Sequence, residues 1–317
     1  MQVLLSLTHS SAVRCLTFSS DSQLLACGCE DGTISVWDVE TGTAKFKCVG
    51  HSAAVLCVAF ASDAHSIIAS GSADKTLRTW EANSGQSKNV VGHHSAAGCK
   101  CPPPSATQKS KCKPLPGCQA GGHAGAVSSL VFASDGTRII SGSHDRSLRV
   151  WHAATLAEER TLVPPQPGQG ELEKPVTSIS LSPRSSHVLA GLVGGGTKLI
   201  DMQTGNTEVQ LRGHKHTVTV VAFAGSVAAT CSDDGTLRLW DSKTGKLNAT
   251  FRGHRRRVTC IAVSPDGKRI LSGSSDSDIL VWDAAWAMEG TRKSEPLDAA
   301  EKLLLRVGGG ESQKILR

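Results

Sequence analysis

Residues 213 to 241 read GHKHTVTVVAFAGSVAATCSDDGTLRLWD, and this stretch decides the fold. It opens at His214, runs through alternating apolar residues, turns at Asp234-Gly235 and closes on Trp240-Asp241. The same frame recurs along the chain. Asp31/Trp37, Asp74/Trp80, Asp145/Trp151, Asp234/Trp240 and Asp276/Trp282 each place a tryptophan six residues after an aspartate. His9, His51, His123, His214 and His254 precede those aspartates by 20 to 23 residues. A residue set copied five times at one register builds a scaffold rather than a single reactive centre.

Four residues after each histidine stands Val13, Val55, Val127, Val218 or Val258. Nine residues after it stands Phe18, Phe60, Phe132, Phe223 or Val263. The alternation between these points predicts a short strand with one buried face. Turn signals follow. Ser134-Asp135-Gly136 and Pro265-Asp266-Gly267 close a first hairpin, and Asp31-Gly32 and Asp234-Gly235 a second. Lys75, Arg146 and Ser277 take the glycine's place in other units. Thr41-Gly42, Ser84-Gly85, Thr204-Gly205 and Thr244-Gly245 close a third. Three hairpin turns joining four short strands make an antiparallel meander. Trp37 and Trp80 are 43 residues apart, and Trp240 and Trp282 are 42 apart. Four strands in that length, with a Trp-Asp ending, is the pattern of one propeller blade.

The units resemble WD repeats. Gly50-His51 and Gly253-His254 open them, and Trp37-Asp38, Trp240-Asp241 and Trp282-Asp283 close them. The likeness extends over roughly residues 2 to 283. Residues 172 to 211 hold the place of a sixth, degenerate unit, with Leu172 at the histidine position, Gly194 at the aspartate and Ile200 at the tryptophan. The expected fold is an all-β propeller of four-stranded antiparallel blades with six recognisable repeats. The domain would span residues 1–286, with a tail over 287–317 that forms a short helix or a strand. In the family, an N-terminal strand such as Gln2 to Leu7 closes the ring by completing the last blade. Lys302 to Val307 is the alternative for that place.

The resemblance gives the repeated polar residues a structural role. His51, Ser70, Asp74 and Trp80 form one set; His123, Ser141, Asp145 and Trp151 a second; His214, Thr230, Asp234 and Trp240 a third; His254, Ser272, Asp276 and Trp282 a fourth. Each imitates a hydrolase triad on paper. The family reading is a buried hydrogen-bond chain from aspartate through histidine and hydroxyl to the indole N–H. The first unit has Cys27 where the hydroxyl belongs. Gly191 to Lys198 echoes a phosphate-binding loop, but Thr197 and Lys198 stand in the wrong order and at a hairpin, so it predicts no nucleotide site. No catalytic residue and no cofactor is expected.

The net charge is +6, and residues 93 to 122 carry four lysines and no acid. The rest is nearly neutral, which argues against a globally basic nucleic-acid binder. That segment is rich in Pro, Lys, Ser and Cys and reads as a disordered insert. Cys99, Cys101, Cys112 and Cys118 are zinc-type ligands, but their spacing matches no common zinc pattern. The chain has 11 cysteines. Cys15, Cys57 and Cys260 share one strand position, which predicts small buried residues and reduced thiols in the cytoplasm or nucleus. No apolar run is long enough to span a bilayer.

The candidate binding residues are basic. In this family the loops after each histidine surround the central channel on the partner-binding face. Lys215-His216 and Arg255-Arg256-Arg257 occupy two such loops, with Lys174 in the degenerate unit, whereas Ser52-Ala53-Ala54 and Ala124-Gly125-Ala126 are neutral. One positive arc would suit an acidic or phosphorylated protein segment, or an RNA backbone. The chain has no tyrosine and only 4% aromatic residues, so stacking platforms for single-stranded nucleic acid are scarce. The resemblance implies a monomer within a hetero-complex, acting as a scaffold without enzymatic activity. Substrate receptors of cullin-type ubiquitin ligases in the family carry a basic residue two places after Trp-Asp. Here those places hold Glu40, Lys243 and Ala285, and Lys243 follows Ser242 instead of an apolar residue. That reading is therefore poor. A role in ribosome biogenesis or RNA processing rests on the basic arc alone.

Overall fold

A computed structural model describes residues 7–61, 67–92, 118–119, 121–163, 172–225, 227–264 and 268–283. These residues build six sheets of antiparallel meanders, the blades of a β-propeller, and contain no helix. Sheet one is β1 (Val13–Phe18), β2 (Leu24–Cys29), β3 (Ile34–Asp38) and β4 (Ala44–Cys48). Sheet two is β5 (Val55–Phe60), β6 (Ile67–Ser72), β7 (Leu77–Glu81), β8 (Ser87–Val91) and β9 (Cys118–Gln119). Sheet three is β10 (Val127–Phe132), β11 (Arg138–Ser143), β12 (Leu148–His152) and β13 (Glu158–Val163). Sheet four is β14 (Val176–Leu181), β15 (His187–Leu192), β16 (Thr197–Asp201) and β17 (Thr207–Leu211). Sheet five is β18 (Val218–Ala224), β19 (Val227–Ser232), β20 (Thr236–Asp241) and β21 (Leu247–Arg252). Sheet six is β22 (Val258–Val263), β23 (Arg269–Ser274) and β24 (Ile279–Asp283), three strands among the described residues. Strand order follows chain order in every sheet, the meander expected from the turn signals.

The chain packs as two compact units, one of Met1–Ile179 with Met202–Asn206 and one of Ser180–Asp201 with Thr207–Arg317. In the first unit, Ala26, Ile34 and Val36 of sheet one pack with Val55, Val58, Phe60 and Trp80 of sheet two. Sheets two and three share a second core around Leu77, Val127, Leu130 and Trp151. In the second unit, Leu189, Leu199 and Leu211 pack with Val218, Val221 and Trp240. Ala229, Leu237 and Leu239 pack with Val258, Ile270 and Trp282. Trp80, Trp151, Trp240 and Trp282 are buried. The strand period of two makes this possible, because each sheet presents one apolar set to each neighbour.

The turn register explains the departures from glycine. Gly32 and Gly235 have φ near +80°, and Lys75, Arg146 and Ser277 adopt φ +70° at the same place. The hairpin demands a left-handed residue there whatever its side chain. The first strands of sheets one, two, three, five and six share a register break just after their valine, as at Val55/Cys57. Such bulges twist the strand and blunt its free edge.

The segments expected to close the ring, Gln2 to Leu7 or Lys302 to Val307, lie almost wholly outside the described residues. Of the stretch read as a disordered insert, Cys118–Gln119 pairs in parallel with β8 through Val90 and Val91. Its candidate ligands Cys99, Cys101 and Cys112 lie outside the described residues.

Candidate functional site

In sheets two, three, five and six the polar chain is complete. The Trp80 indole donates to Ser70 Oγ at 2.8 Å, His51 Nε2 lies 2.8 Å from that oxygen, and His51 Nδ1 lies 3.0 Å from Asp74. Trp151, Ser141, His123 and Asp145 repeat it at 2.7, 2.7 and 3.0 Å. Trp240, Thr230, His214 and Asp234 do so at 2.8, 2.8 and 2.9 Å, and Trp282, Ser272, His254 and Asp276 at 2.8, 2.8 and 3.1 Å. The hydroxyl accepts from the indole, so its proton points at Nε2 and the histidine donates from Nδ1 to the carboxylate. Every member is satisfied with a neutral imidazole. Burial lowers the pKa values of His51, His123 and His214 despite their aspartates. Burial by itself would raise Asp74 and Asp145, but hydrogen bonds from His51 and His123 outweigh it and hold both carboxyls well below the usual range. Asp234, where hydrogen bonds from Thr236 and His214 outweigh burial, falls to about 2.

Sequence reasoning missed two parts of this chain. Thr76, Ser147 and Thr236, two residues after the aspartate, donate to it at 2.6 Å. Arg78 and Arg238 lie over the Trp80 and Trp240 rings at 5.7 and 6.0 Å and press against Gly50 and Gly213. Both recur at fixed offsets and were legible as such. In sheet one Ser35 takes the arginine's place, and a cavity of about 270 Å³ opens beside Ser35, Trp37, His9 and Lys47. The buried Trp37 indole N–H there has no hydrogen-bond partner, because Cys27 replaces the hydroxyl. His9 faces Cys29 Sγ at 3.7 Å.

The network has a second effect that bears on recognition. Each aspartate also accepts the backbone N–H that follows the histidine: Ser52 at 2.9 Å, Ala124 at 2.8 Å, Lys215 at 3.1 Å and Arg255 at 2.8 Å. Ser232 Oγ donates to His216 O, and Ser274 Oγ donates to Arg257 O. The loop backbone is thus clamped to the scaffold while the side chains of Lys215, His216, Arg255, Arg256 and Arg257 stand exposed. The two loops are neighbours, since a Cβ on Gly235 would meet Arg256 O at 3.3 Å and His254 O at 3.5 Å. A cavity of about 330 Å³ lies beside them, lined by Lys215, His216, Asp233, Asp234, Thr236, Arg238 and Arg252. None of Lys215, Arg252, Arg255, Arg256 and Arg257 forms an ion pair among the described residues. Asp233 is the exposed opposing acid, while Asp234 is spent on His214. Lys174 is also exposed but belongs to the other compact unit, and Gly194 at the aspartate position supplies no carboxylate to clamp its loop.

His187, Asp201 and Glu208 bring ligand-type atoms within 4.8 Å of one another. His187 Nε2 lies 2.8 Å from a carboxylate oxygen of Glu208, within hydrogen-bond distance. Cys15, Cys27, Cys29, Cys48, Cys57, Cys231 and Cys260 are all free. Burial pushes the Cys15 thiol up to about 12 and Cys57 well above its usual range. Cys260 departs from the expectation of burial and is exposed.

A family model described as WD domain, G-beta repeat matches residues 1–38, 42–81, 116–152, 205–241 and 245–283, together more than half of the chain. The chain belongs to the WD40 family. The degenerate fourth unit is the one that falls between matches, as the loss of its histidine, aspartate and tryptophan dictates. The chain is similar to protein tipD of Dictyostelium discoideum, at 27% identity over 87% of this chain and 40% of that protein. It is also similar to the nuclear distribution protein PAC1 of Coccidioides posadasii, at 28% identity over 87% of this chain and 58% of the other. A U3 small nucleolar RNA-associated protein 15 homolog of Xenopus tropicalis is 27% identical over 67% of this chain and 34% of its own length. The chain therefore spans about half the length of such WD-repeat relatives. Among solved structures, the computationally designed Ika8 protein superposes with a TM-score of 0.64 at 27% identity, over 90% of this chain and 75% of that one. No helix among the described residues is long and apolar enough to cross a membrane.

Proposed function

We propose that this WD40 chain is a non-enzymatic scaffold subunit of a multiprotein assembly in the cytoplasm or nucleus, and that it holds an acidic or phosphorylated segment of a protein partner against Lys215, His216 and Arg255 to Arg257. The observation that carries this reading is the clamp. Two neighbouring loops have their backbones fixed by Asp234 and Asp276, yet present five basic side chains without acid partners. Fixed backbone lowers the ordering cost of binding, and guanidinium groups match carboxylate or phosphate oxygens in pairs. In sheets two, three, five and six the repeated histidine and aspartate are used up inside their own hydrogen-bond chains, which supports a structural role for them over a catalytic one. Reversing Arg255, Arg256 and Arg257 to glutamate is expected to release the partner that co-purifies with the wild-type chain, with a melting temperature that stays put. Full retention of every partner would remove the arc from recognition.

A second reading is supported by one observation, the likeness to a protein named for association with a small nucleolar RNA. It makes the arc a contact to RNA phosphates. The two readings separate on nuclease treatment, which releases an RNA-borne assembly and leaves a peptide-borne one intact. The absence of tyrosine and the scarcity of aromatics favour the peptide.

A further inference from the structure

The cavity of about 330 Å³ beside the clamped loops gathers cations from three parts of one compact unit. Lys215 and His216 stand on the loop after His214, Arg238 on β20 and Arg252 at the end of β21. Matching places in sheets two and three hold no such set. Ser52 and Ala124 stand where Lys215 does, Ala53 and Gly125 where His216 does, and Gly92 and Pro164 where Arg252 does.

Arg238 is the member that distinguishes this cavity. Its counterpart in sheet three, Arg149, donates through Nη1 to Glu158 at 2.7 Å. Glu158 lies opposite Trp151, whereas the residue opposite Trp240 is Leu247. Arg238 thus lacks that acid, and it forms no ion pair among the described residues. Its guanidinium is nonetheless held in place. It lies 6.0 Å from the Trp240 ring centroid, and a Cβ on Gly213 would come within 2.3 Å of its Nη1. Two carboxylates line the same cavity. Asp234 has both oxygens engaged: one accepts from His214 Nδ1 and Lys215 N–H, the other from the N–H and hydroxyl of Thr236. Asp233 is exposed.

Lys215, Arg238 and Arg252 therefore face one unengaged acid. A carboxylate is planar and carries a single charge, which one guanidinium fork saturates. A phosphate monoester carries about −1.5 to −2 charges and three acceptor oxygens, so it can take donors from a loop, a strand and a strand end together. We propose that this cavity receives the phosphate of a phosphorylated serine or threonine in the partner segment, with Arg238, Arg252 and Lys215 as its donors. Arg255 to Arg257 on the neighbouring loop are left to acids flanking that residue. This role rests on the peptide reading above and adds a condition to it: the partner is held when it is phosphorylated.

Fluorescence polarisation of the purified full chain tests this with three labelled peptide pools. The pools share short degenerate flanks around a fixed phosphothreonine, threonine or glutamate. The phosphothreonine pool is expected to bind on the order of tenfold more tightly than the glutamate pool, through its extra charge and third oxygen. Arg252→Gln with Lys215→Gln is expected to bring the phosphothreonine pool down to the glutamate pool. Arg255, Arg256 and Arg257 changed to glutamate is expected to weaken both pools and to leave the ratio between them. Circular dichroism melting checks that each variant folds, and Arg252→Met with Lys215→Met replaces the first if it does not. Equal binding of the phosphothreonine and glutamate pools by the wild type overturns the phosphate site and leaves the acidic-segment reading standing. Failure of both acidic pools to bind overturns the two together. A phosphate preference that survives the loss of Arg252 and Lys215 places the phosphate elsewhere and overturns this assignment. An oligouridylate that binds more tightly than the phosphothreonine pool, and loses that affinity in the same variant, overturns it in favour of RNA.

Discussion

Sheets three and four are built alike and held differently. Sheet three runs Trp151 to Ser141 to His123 to Asp145 in one hydrogen-bonded chain, and Asp145 clamps Ala124 N–H. Sheet four has Ile200, Leu172 and Gly194 at the tryptophan, histidine and aspartate positions, and it still forms the four-stranded meander. Apolar packing is therefore enough to make a blade. The polar chain does something narrower: it ties the loop after the histidine to the turn before the third strand. Sheet one lies between the two cases, with a histidine and an aspartate that do not meet and an indole N–H left unpaired.

If packing makes the blade, the cores of both sheets should be equally costly to empty. Trp151→Ala is expected to destabilise by ~3–5 kcal/mol and Ile200→Ala by ~2–5 kcal/mol in urea titrations. An Ile200→Ala cost under about 1 kcal/mol would show that sheet four hangs on its neighbours instead. The network should matter only where it is complete. Asp145→Ala and Asp276→Ala are each expected to cost ~1–3 kcal/mol because they strand a buried histidine N–H, while Asp31→Ala in sheet one stays within ~0.5 kcal/mol. Equal losses at Asp31 and Asp145 would erase the distinction between sheets.

Acid sharpens the same contrast. His51, His123 and His214 are held neutral by burial, so below a pH of about 6.5 the unfolded chain takes up protons that the folded chain refuses. The urea midpoint is expected to fall steadily as pH drops from about 7 to about 5. The aspartates act in the same direction further down: their lowered pKa values stabilise the fold above the ordinary carboxylate range, and that contribution disappears as pH falls through the native values. Removing His123 should flatten the slope, and a midpoint insensitive to pH would contradict neutral imidazoles. A small gain in stability is expected at Arg146. Its φ of +70° strains any side chain, so Arg146→Gly is expected to stabilise by about 0.5–1 kcal/mol in the same titration; sheet four already has glycine at the matching place, Gly195.

Much of this was legible in the chain. The histidine, hydroxyl, aspartate and tryptophan offsets predicted four complete networks, and Cys27 predicted the fault in the first sheet. The arginines over Trp80 and Trp240 were equally periodic and went unread, because a charged residue in a strand looks like a solvated face. Lys174 looked like part of the basic arc by position alone, and its loop has no carboxylate to hold it. Cys260 shares a register with Cys57 and was expected to be buried. What buries Cys57 is the sheet that follows it, and no feature of its own strand records whether such a sheet is there.

By itself the sequence determined the repeat, the four-stranded meander and the buried polar chains, because these depend on residue type at short and fixed separations. Only the tertiary structure decided which loops are clamped side by side to gather their cations, and which strand positions a neighbouring sheet buries. Those depend on which sheet lies against which, and burial belongs to a pair of surfaces rather than to either strand.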